Sequence, residues 1–248
     1  MPHSWHLGND VVDLTDPRHG GKAGDNRFLQ RVFSPEEQED IRTSLNPDRA
    51  LWMRWAGKEA AFKTVSKAQG SAPIFNHPSF RTTVFGRRGA LPDGAPPPDN
   101  PMSRFGQVEY ERFLLPLRIE VVGTTLHAVT WTPDPGHDIP PFVWGSQEAV
   151  GPTHDWRGLL EARFSAKEWD CVSHRASALA RLAARRSLAA SLKVEDTAIE
   201  IGCGPGEPGR RIPKVLLGGE EAPVDLTLSH HGRLLAWAYL IPPQLKGR

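Results

Sequence analysis

The sequence predicts an α+β protein: two similar lobes related by a pseudo-twofold, each a small antiparallel sheet packed on helices. Three observations carry this. A segment with helical apolar spacing occurs in each half, near 51–67 and near 175–192. Alternating apolar runs flank a glycine turn in each half, at Gly123 and at Gly232. The two halves also match each other in order, which is the mark of an internal duplication.

Leu7 to Leu14 reads as a short strand, with Asp10, Val12 and Leu14 on one face by its period of two. An Asp among apolar neighbours calls for a partner. Thr15-Asp16-Pro17 and the glycines at 20, 21 and 24 form a loop. Ser34-Pro35-Glu36-Glu37 then starts a helix: Ser34 is an N-cap, Pro35 takes the first helical position, and Glu37 completes a capping box. That helix runs to about Leu45 and is broken by Asn46-Pro47-Asp48.

The next helix organises the chain. From Leu51 to Lys63, at about 100° per residue, Leu51, Trp52, Trp55, Ala56 and Phe62 form one apolar stripe. Glu59 projects inside that stripe and Lys63 lies one turn on. A carboxylate there is costly without a cation or donors; a Glu59–Lys63 pair along the helix is the plainest answer.

Phe80 to Phe85 reads as a strand, 86–104 as a surface loop rich in Pro and Gly, and Gln107–Val122 with Thr125–Thr132 as strands around the turn at Gly123. Residues 133–153 are again rich in Pro and Gly and read as a linker, giving lobes at 1–132 and 154–248. The second lobe opens on the capping box Ser165-Ala166-Lys167-Glu168, continues through the Ala/Arg/Leu helix from Arg175 to Leu192, and has strands at Ile199–Ile201, Leu226–His230 and Leu234–Ile241.

The repeat aligns Phe33-Ser34-x-x-Glu37 with Phe164-Ser165-x-x-Glu168, and Arg54 to Ala61 with Arg181 to Leu188. It also isolates the differences. Glu59 faces Arg186 in the alignment, and Ser229-His230-His231 has no counterpart in the first half. One lobe carries acidic groups of metal-binding type and the other carries Arg and His, which suit phosphates. Arg186 is assigned no role.

Composition narrows the class. The 248 residues suit one large or two small domains, and a net charge of +1 gives no global field toward nucleic acid. Two cysteines suggest no disulfide framework and a reducing compartment; Cys203 has no partner at metal or redox spacing. The N-terminus lacks the basic and apolar regions of a signal peptide, and no apolar run is long enough to span a bilayer. A soluble cytoplasmic protein, free of membrane and nucleic acid, is the expectation.

Three motifs together resemble the 4′-phosphopantetheinyl transferase superfamily: Gly8-Asn9-Asp10-Val11-Val12, Trp55-Ala56-Gly57-Lys58-Glu59-Ala60-Ala61-Phe62-Lys63, and Leu226-Thr227-Leu228-Ser229-His230-His231-Gly232-Arg233. Phe33-Ser34-x-x-Glu37 stands between the first two, as in that family. Two departures exist. Two-lobed members usually place the Ser-His lobe first, whereas here the order is swapped. Large members often have Asp-x-Glu, where this chain has Asp10-Val11-Val12, as the short carrier-protein synthases do.

The resemblance implies transfer of the phosphopantetheine arm of coenzyme A to a serine of an apo acyl, polyketide or peptidyl carrier protein, with release of 3′,5′-ADP. It implies Mg²⁺ on Asp10 and Glu59, an ion that takes carboxylates, waters and phosphate oxygens. Lys63 would reach a phosphate, with Lys58 as a further coenzyme A contact. Glu37 aligns with the family's proposed base, and its capping-box role is equally compatible. Ser229 and His230 resemble contacts to the coenzyme A 3′-phosphate. Arg175, Arg181 and one of Arg211 and Lys214 resemble groups that grip nucleotide phosphates. A chain with both lobes needs no second copy, so a monomer is expected. The alternatives are a non-catalytic module that binds coenzyme A or a carrier protein, and another Mg²⁺-dependent phosphoryl-transfer enzyme. The common nucleotide-hydrolase signatures are missing, which weighs against the latter.

Overall fold

The computed structural model describes residues 5–85, 103–133, 141–151, 154–204 and 212–245. It divides into two compact units, Met1–Pro140 and Pro141–Arg248, each with its own core. All strand pairing among the described residues is antiparallel, so the α+β class holds.

The first unit runs β1 (Leu7–Asp13), α1 (Asn26–Val32), α2 (Pro35–Thr43), α3 (Pro47–Gln69), β2 (Arg81–Val84), β3 (Arg104–Tyr110), β4 (Phe113–Val122) and β5 (Thr125–Trp131). Its sheet has the order β1-β5-β4-β3-β2. The first strand of the chain therefore pairs with the last of the unit, with Gly8 opposite Thr130 and Asp10 opposite Ala128. The capping box at α2 is present as read: Ser34 Oγ accepts from the Glu37 amide and Glu37 returns to the Ser34 amide. The helix α3 is longer than its apolar stripe implies. The break read at Asn46-Pro47-Asp48 is present and also starts α3, because the Asn46 side chain accepts from the Arg49 amide and Pro47 occupies the first turn, where it costs no hydrogen bond.

The helix α3 crosses β1 at very short range. A Cβ added to Gly8 would stand 2.0 Å from the Ala60 carbonyl oxygen and 2.6 Å from Thr64 Oγ1. The Thr64 hydroxyl lies 2.7 Å from that of Thr130, the partner of Gly8 across the sheet. Around this seat Leu51, Ala56, Ala60, Ala61 and Val65 of α3 pack with Leu115, Leu117, Ile119 and Leu126 of the sheet, all fully buried.

The second unit contains β6 (Val143–Glu148), α4 (Trp156–Leu160), α5 (Ala166–Trp169), α6 (Arg175–Leu192), β7 (Ile199–Cys203), β8 (Pro213–Leu217), β9 (Glu220–Glu221), β10 (Asp225–His231) and β11 (Leu234–Leu240). Two three-stranded sheets result, β10-β11-β6 and β7-β8-β9. The expected linker 133–153 is corrected here. Residues Val143–Glu148 form an edge strand on β11, so this stretch belongs partly to the sheet of the second unit. Its Pro and Gly content hid the strand. At Gly145 a side chain would collide with the Trp237 ring, 2.7 Å away, so the residue that reads as a breaker is what the packing requires.

A second correction concerns the cysteines. Cys171, just after α5, and Cys203, at the end of β7, form a disulfide with a Cα separation of 5.9 Å. Packing of α5 on β7 brings them together across 32 residues, which sequence spacing alone does not reveal. The cysteine count therefore no longer argues for a reducing compartment. No helix among the described residues is long and apolar enough to cross a membrane.

Candidate active site

Three of the expected residues converge in the first unit. Asp10 lies on the face of β1 that meets α3, and Glu59 and Lys63 lie one turn apart on that helix. Lys63 Nζ stands 3.5 Å from Asp10 Oδ1 and donates to the Asn9 carbonyl at 2.6 Å. The Asp10 side chain is only 15 % exposed. Burial pushes its carboxyl up to about 7; Lys63 opposes the shift and the nearby Glu59 charge adds to it. Two carboxylates whose charges disfavour each other at a partly buried spot make a donor set that a divalent cation would relieve. All-oxygen donors of this kind fit Mg²⁺.

Behind Asp10 the strand is held by a neutral imidazole. The Asn9 side-chain Nδ2 lies 3.1 Å from His127 Nε2, and burial, aided by Lys63, pushes His127 down to about 3. The two shifts act on stability in opposite senses. Asp10 titrates higher when folded, so the stability it gives is complete below about 3.8 and is lost as pH rises through about 7. His127 titrates lower when folded, so its contribution is complete above about 6.5 and is lost as pH falls toward about 3. Asp10→Asn removes the first contribution alone. Urea unfolding of the metal-free variant is expected to show a gain in stability over the parent that grows from pH 4 to pH 7, reaching about 4 kcal/mol. A gain independent of pH would contradict the assignment.

Glu37 takes the capping-box role that the sequence left open beside catalysis, and Lys58 is drawn into the interior against it. Both are buried, and they bond to each other at 2.7 Å. Glu37 Oε2 also accepts from the Ser34 amide and Oε1 from the Thr82 amide at 2.7 Å. Lys58 gives its other donors to the carbonyls of His77 and Phe80. Burial pushes the Lys58 ammonium down, against the pull of Glu37. Both groups are thus occupied in the interior, where they tie α2, α3 and β2 together.

The second unit repeats this clamp. Glu168 Oε1 accepts from the Ile201 amide at 2.8 Å and Oε2 from the Ser165 amide, while Arg185 approaches at 3.4 Å. The repeat aligns Lys58 with Arg185, so one device holds the capping-box helix, the long helix and a strand in both units.

The remaining expected residues lie in the second unit. Ser229 is buried and His230 exposed near the end of β10, with the His230 ring edge-on to His174 at 4.5 Å. His174 caps α6, its Nδ1 accepting from the Ser177 amide. Arg175 donates to the carbonyls of Ala149 and Gly151. Arg181 is buried, bonded to Ser177, and pushed down to about 10 by burial against the pull of Glu168. Lys214 pairs with Glu221 at the surface. Arg211 lies outside the described residues. Hydrogen bonding within the unit thus engages Arg175, Arg181 and Lys214.

One residue near the acidic pair escaped the sequence reading. His77, in a single turn before β2, places Nε2 3.5 Å from Glu59 Oε1. Nothing in its local pattern signals this, because the approach is set by how the chain returns past α3.

The part of the chain that holds this combination, a strand Asp facing a helix with Glu and Lys one turn apart, is also the part that resembles known proteins. Residues 6–90, which carry Asp10, Glu37, Glu59 and Lys63, match the family model described as the 4′-phosphopantetheinyl transferase superfamily. Particular relatives agree. Similar proteins are the holo-(acyl-carrier-protein) synthase of Idiomarina loihiensis, 32 % identical over 73 residues, covering 29 % of this chain and 57 % of that protein; that of Chlamydia caviae, 32 % identical over 65 residues, covering 26 % and 53 %; and that of Shewanella sp. strain MR-7, 33 % identical over 91 residues, covering 36 % and 65 %. The chain spans between about half and two thirds of the length of these relatives.

Proposed function

We propose that this protein transfers the 4′-phosphopantetheine group of coenzyme A to a serine of an apo carrier protein, releasing 3′,5′-ADP in a Mg²⁺-dependent reaction. The observation that carries this reading is the convergence of Asp10, Glu59 and Lys63, set by the close crossing of β1 and α3. The names of the similar proteins point the same way.

The roles follow from the geometry. Asp10 and Glu59 would hold the ion, which when bound supplies positive charge to the phosphate oxygens of the substrate. Lys63 is held at the edge of the acidic pair by the Asn9 carbonyl, and offers its ammonium to a phosphate there. Ser229 and His230 remain the candidates for the coenzyme A 3′-phosphate, and the exposed His230 beside His174 is the stronger of the two. We also propose that the two units are a duplicated pair, on the strength of the repeated clamp.

The test is mass spectrometry of fatty-acid, polyketide and peptidyl apo carrier proteins incubated with this protein, coenzyme A and Mg²⁺. The expected result is a gain of one phosphopantetheine on at least one carrier, abolished by chelator. Glu59→Ala is expected to lower kcat/KM by about a hundredfold or more. Coenzyme A binding without any transfer would instead favour a non-catalytic binding module, and transfer unaffected by Glu59→Ala would refute the site.

A further inference from the structure

We propose that His77 is a positioning residue that holds one oxygen of Glu59 and so leaves the other directed to the metal ion. This rests on the reading of Asp10 and Glu59 as the ion's ligands. Three contacts fix where His77 stands. Its ring stacks on Trp55, one turn before Glu59 on the same helix, with centroids 4.6 Å apart and planes at 29°. The Phe75 ring also packs on it, tilted by 46° with centroids 4.2 Å apart. Its backbone carbonyl accepts from the buried Lys58 ammonium at 3.2 Å. An imidazole packed against two aromatic rings and tied at its backbone has little freedom to turn away.

What this rigid ring points at is Glu59. Its Nε2 is buried without a hydrogen-bond partner, and Glu59 Oε1 stands 3.5 Å away. A buried donor left unpaired costs about 1–3 kcal/mol, and a small rotation of the Glu59 side chain satisfies it. Catalytic and ligand contacts of this length commonly tighten only when the site is loaded. With the proton on Nε2, His77 donates to Oε1, fixes the carboxylate plane and leaves Oε2 for the ion. Groups that orient metal-binding carboxylates in this way typically contribute about 10- to 100-fold to metal affinity. The lysine that clamps the fold and the histidine that orients the ligand thus meet at one residue, since Lys58 bonds the His77 carbonyl.

Two variants separate the donor from the ring. His77→Phe keeps the stacking on Trp55 and Phe75 and removes the N–H. His77→Gln loses the ring but carries an amide donor at a reach close to that of Nε2. Binding of Mn²⁺ to each protein, read by electron paramagnetic resonance of the free ion without any substrate, is the measurement, with thermal melting to show that each variant is folded. The expected result is binding about tenfold or more weaker for His77→Phe and within about threefold of the parent for His77→Gln. Glu59→Ala is run beside them. If Glu59→Ala binds Mn²⁺ as the parent does, the metal-site reading fails and His77 with it. If Glu59→Ala loses the ion while folded His77→Phe keeps it, the metal site stands and the role of His77 is overturned. Weakening by both His77 variants equally would show that ring packing matters and donation does not, which also overturns it.

Discussion

Lys58→Met is expected to destabilise the protein by about 3–5 kcal/mol, the cost of leaving a buried carboxylate without its cation. Glu37 keeps the amides of Ser34 and Thr82, so it does not lose every donor, but its charge loses the only ammonium bonded to it among the described contacts. Glu37→Gln is expected to destabilise by a similar amount, because Lys58, fully buried, is then left with carbonyls alone. The double variant Glu37→Gln/Lys58→Met is expected to regain a large part of the loss, since neither charge remains in the interior. Urea unfolding of the four proteins measures the coupling. The same variants decide the chemistry of Glu37. If it anchors the fold, the folded fraction of Glu37→Gln transfers phosphopantetheine at nearly the parental kcat. If it is the base, kcat falls by about a hundredfold or more with the protein still folded.

The elements of this fold were legible wherever the local rules act alone. Ser34 and Ser165 each announce a capping box, and both boxes are present. The Ala/Arg/Leu spacing from about Arg175 to Leu192 marks α6. The glycines at 123 and 232 close the hairpins, each with positive φ. What misled was composition where tertiary packing overrides it. Gly145 is small because Trp237 lies on it, so an edge strand looked like a linker. Asn46 and Pro47 do mark a break, but composition hid that they also cap and open α3. The pair Cys171–Cys203 depends on α5 meeting β7, and no spacing rule sees that.

The candidate site was legible for the same reason and to the same limit. Asp10, Glu59 and Lys63 stand out because each is a charged group on a face whose neighbours are apolar, which requires an explanation. Lys58 and Glu37 gave no such signal. Lys58 sits on the face of α3 expected to meet solvent, yet β2 and the turn before it cover that face and bury the ammonium completely. A long helix packed on a sheet along one side and on a returning loop along the other has no solvent face at that point, and periodicity cannot report the second cover. His77 escaped because it comes from that returning segment.

Gly8→Ala is expected to be the most damaging single-methyl change near the site, costing about 3 kcal/mol of stability by overpacking. The added methyl would stand 2.0 Å from the Ala60 carbonyl oxygen and 2.8 Å from the Thr64 nitrogen, both backbone atoms of α3 that no rotamer change can move. The helix must therefore lift from β1 by about an ångström to restore ordinary contact distance. That motion is along the line that separates Asp10 on the strand from Glu59 and Lys63 on the helix, and it also parts the Thr64 and Thr130 hydroxyls, now 2.7 Å apart. A displacement of about 1 Å at reacting groups costs about a hundredfold in rate. The prediction is a folded but weakened protein whose Mn²⁺ affinity and kcat/KM both fall by about a hundredfold. Gly57→Ala gives the contrast. Its Cβ would meet Thr82 Cγ2 at 3.0 Å and Leu117 Cδ2 at 3.1 Å, side-chain atoms that can yield, on β2 and β4 rather than on β1. A loss of stability of about 1 kcal/mol with metal affinity unchanged is expected there. Equal effects of the two substitutions on metal binding would mean that the close crossing at Gly8 does not set the distance between Asp10 and Glu59.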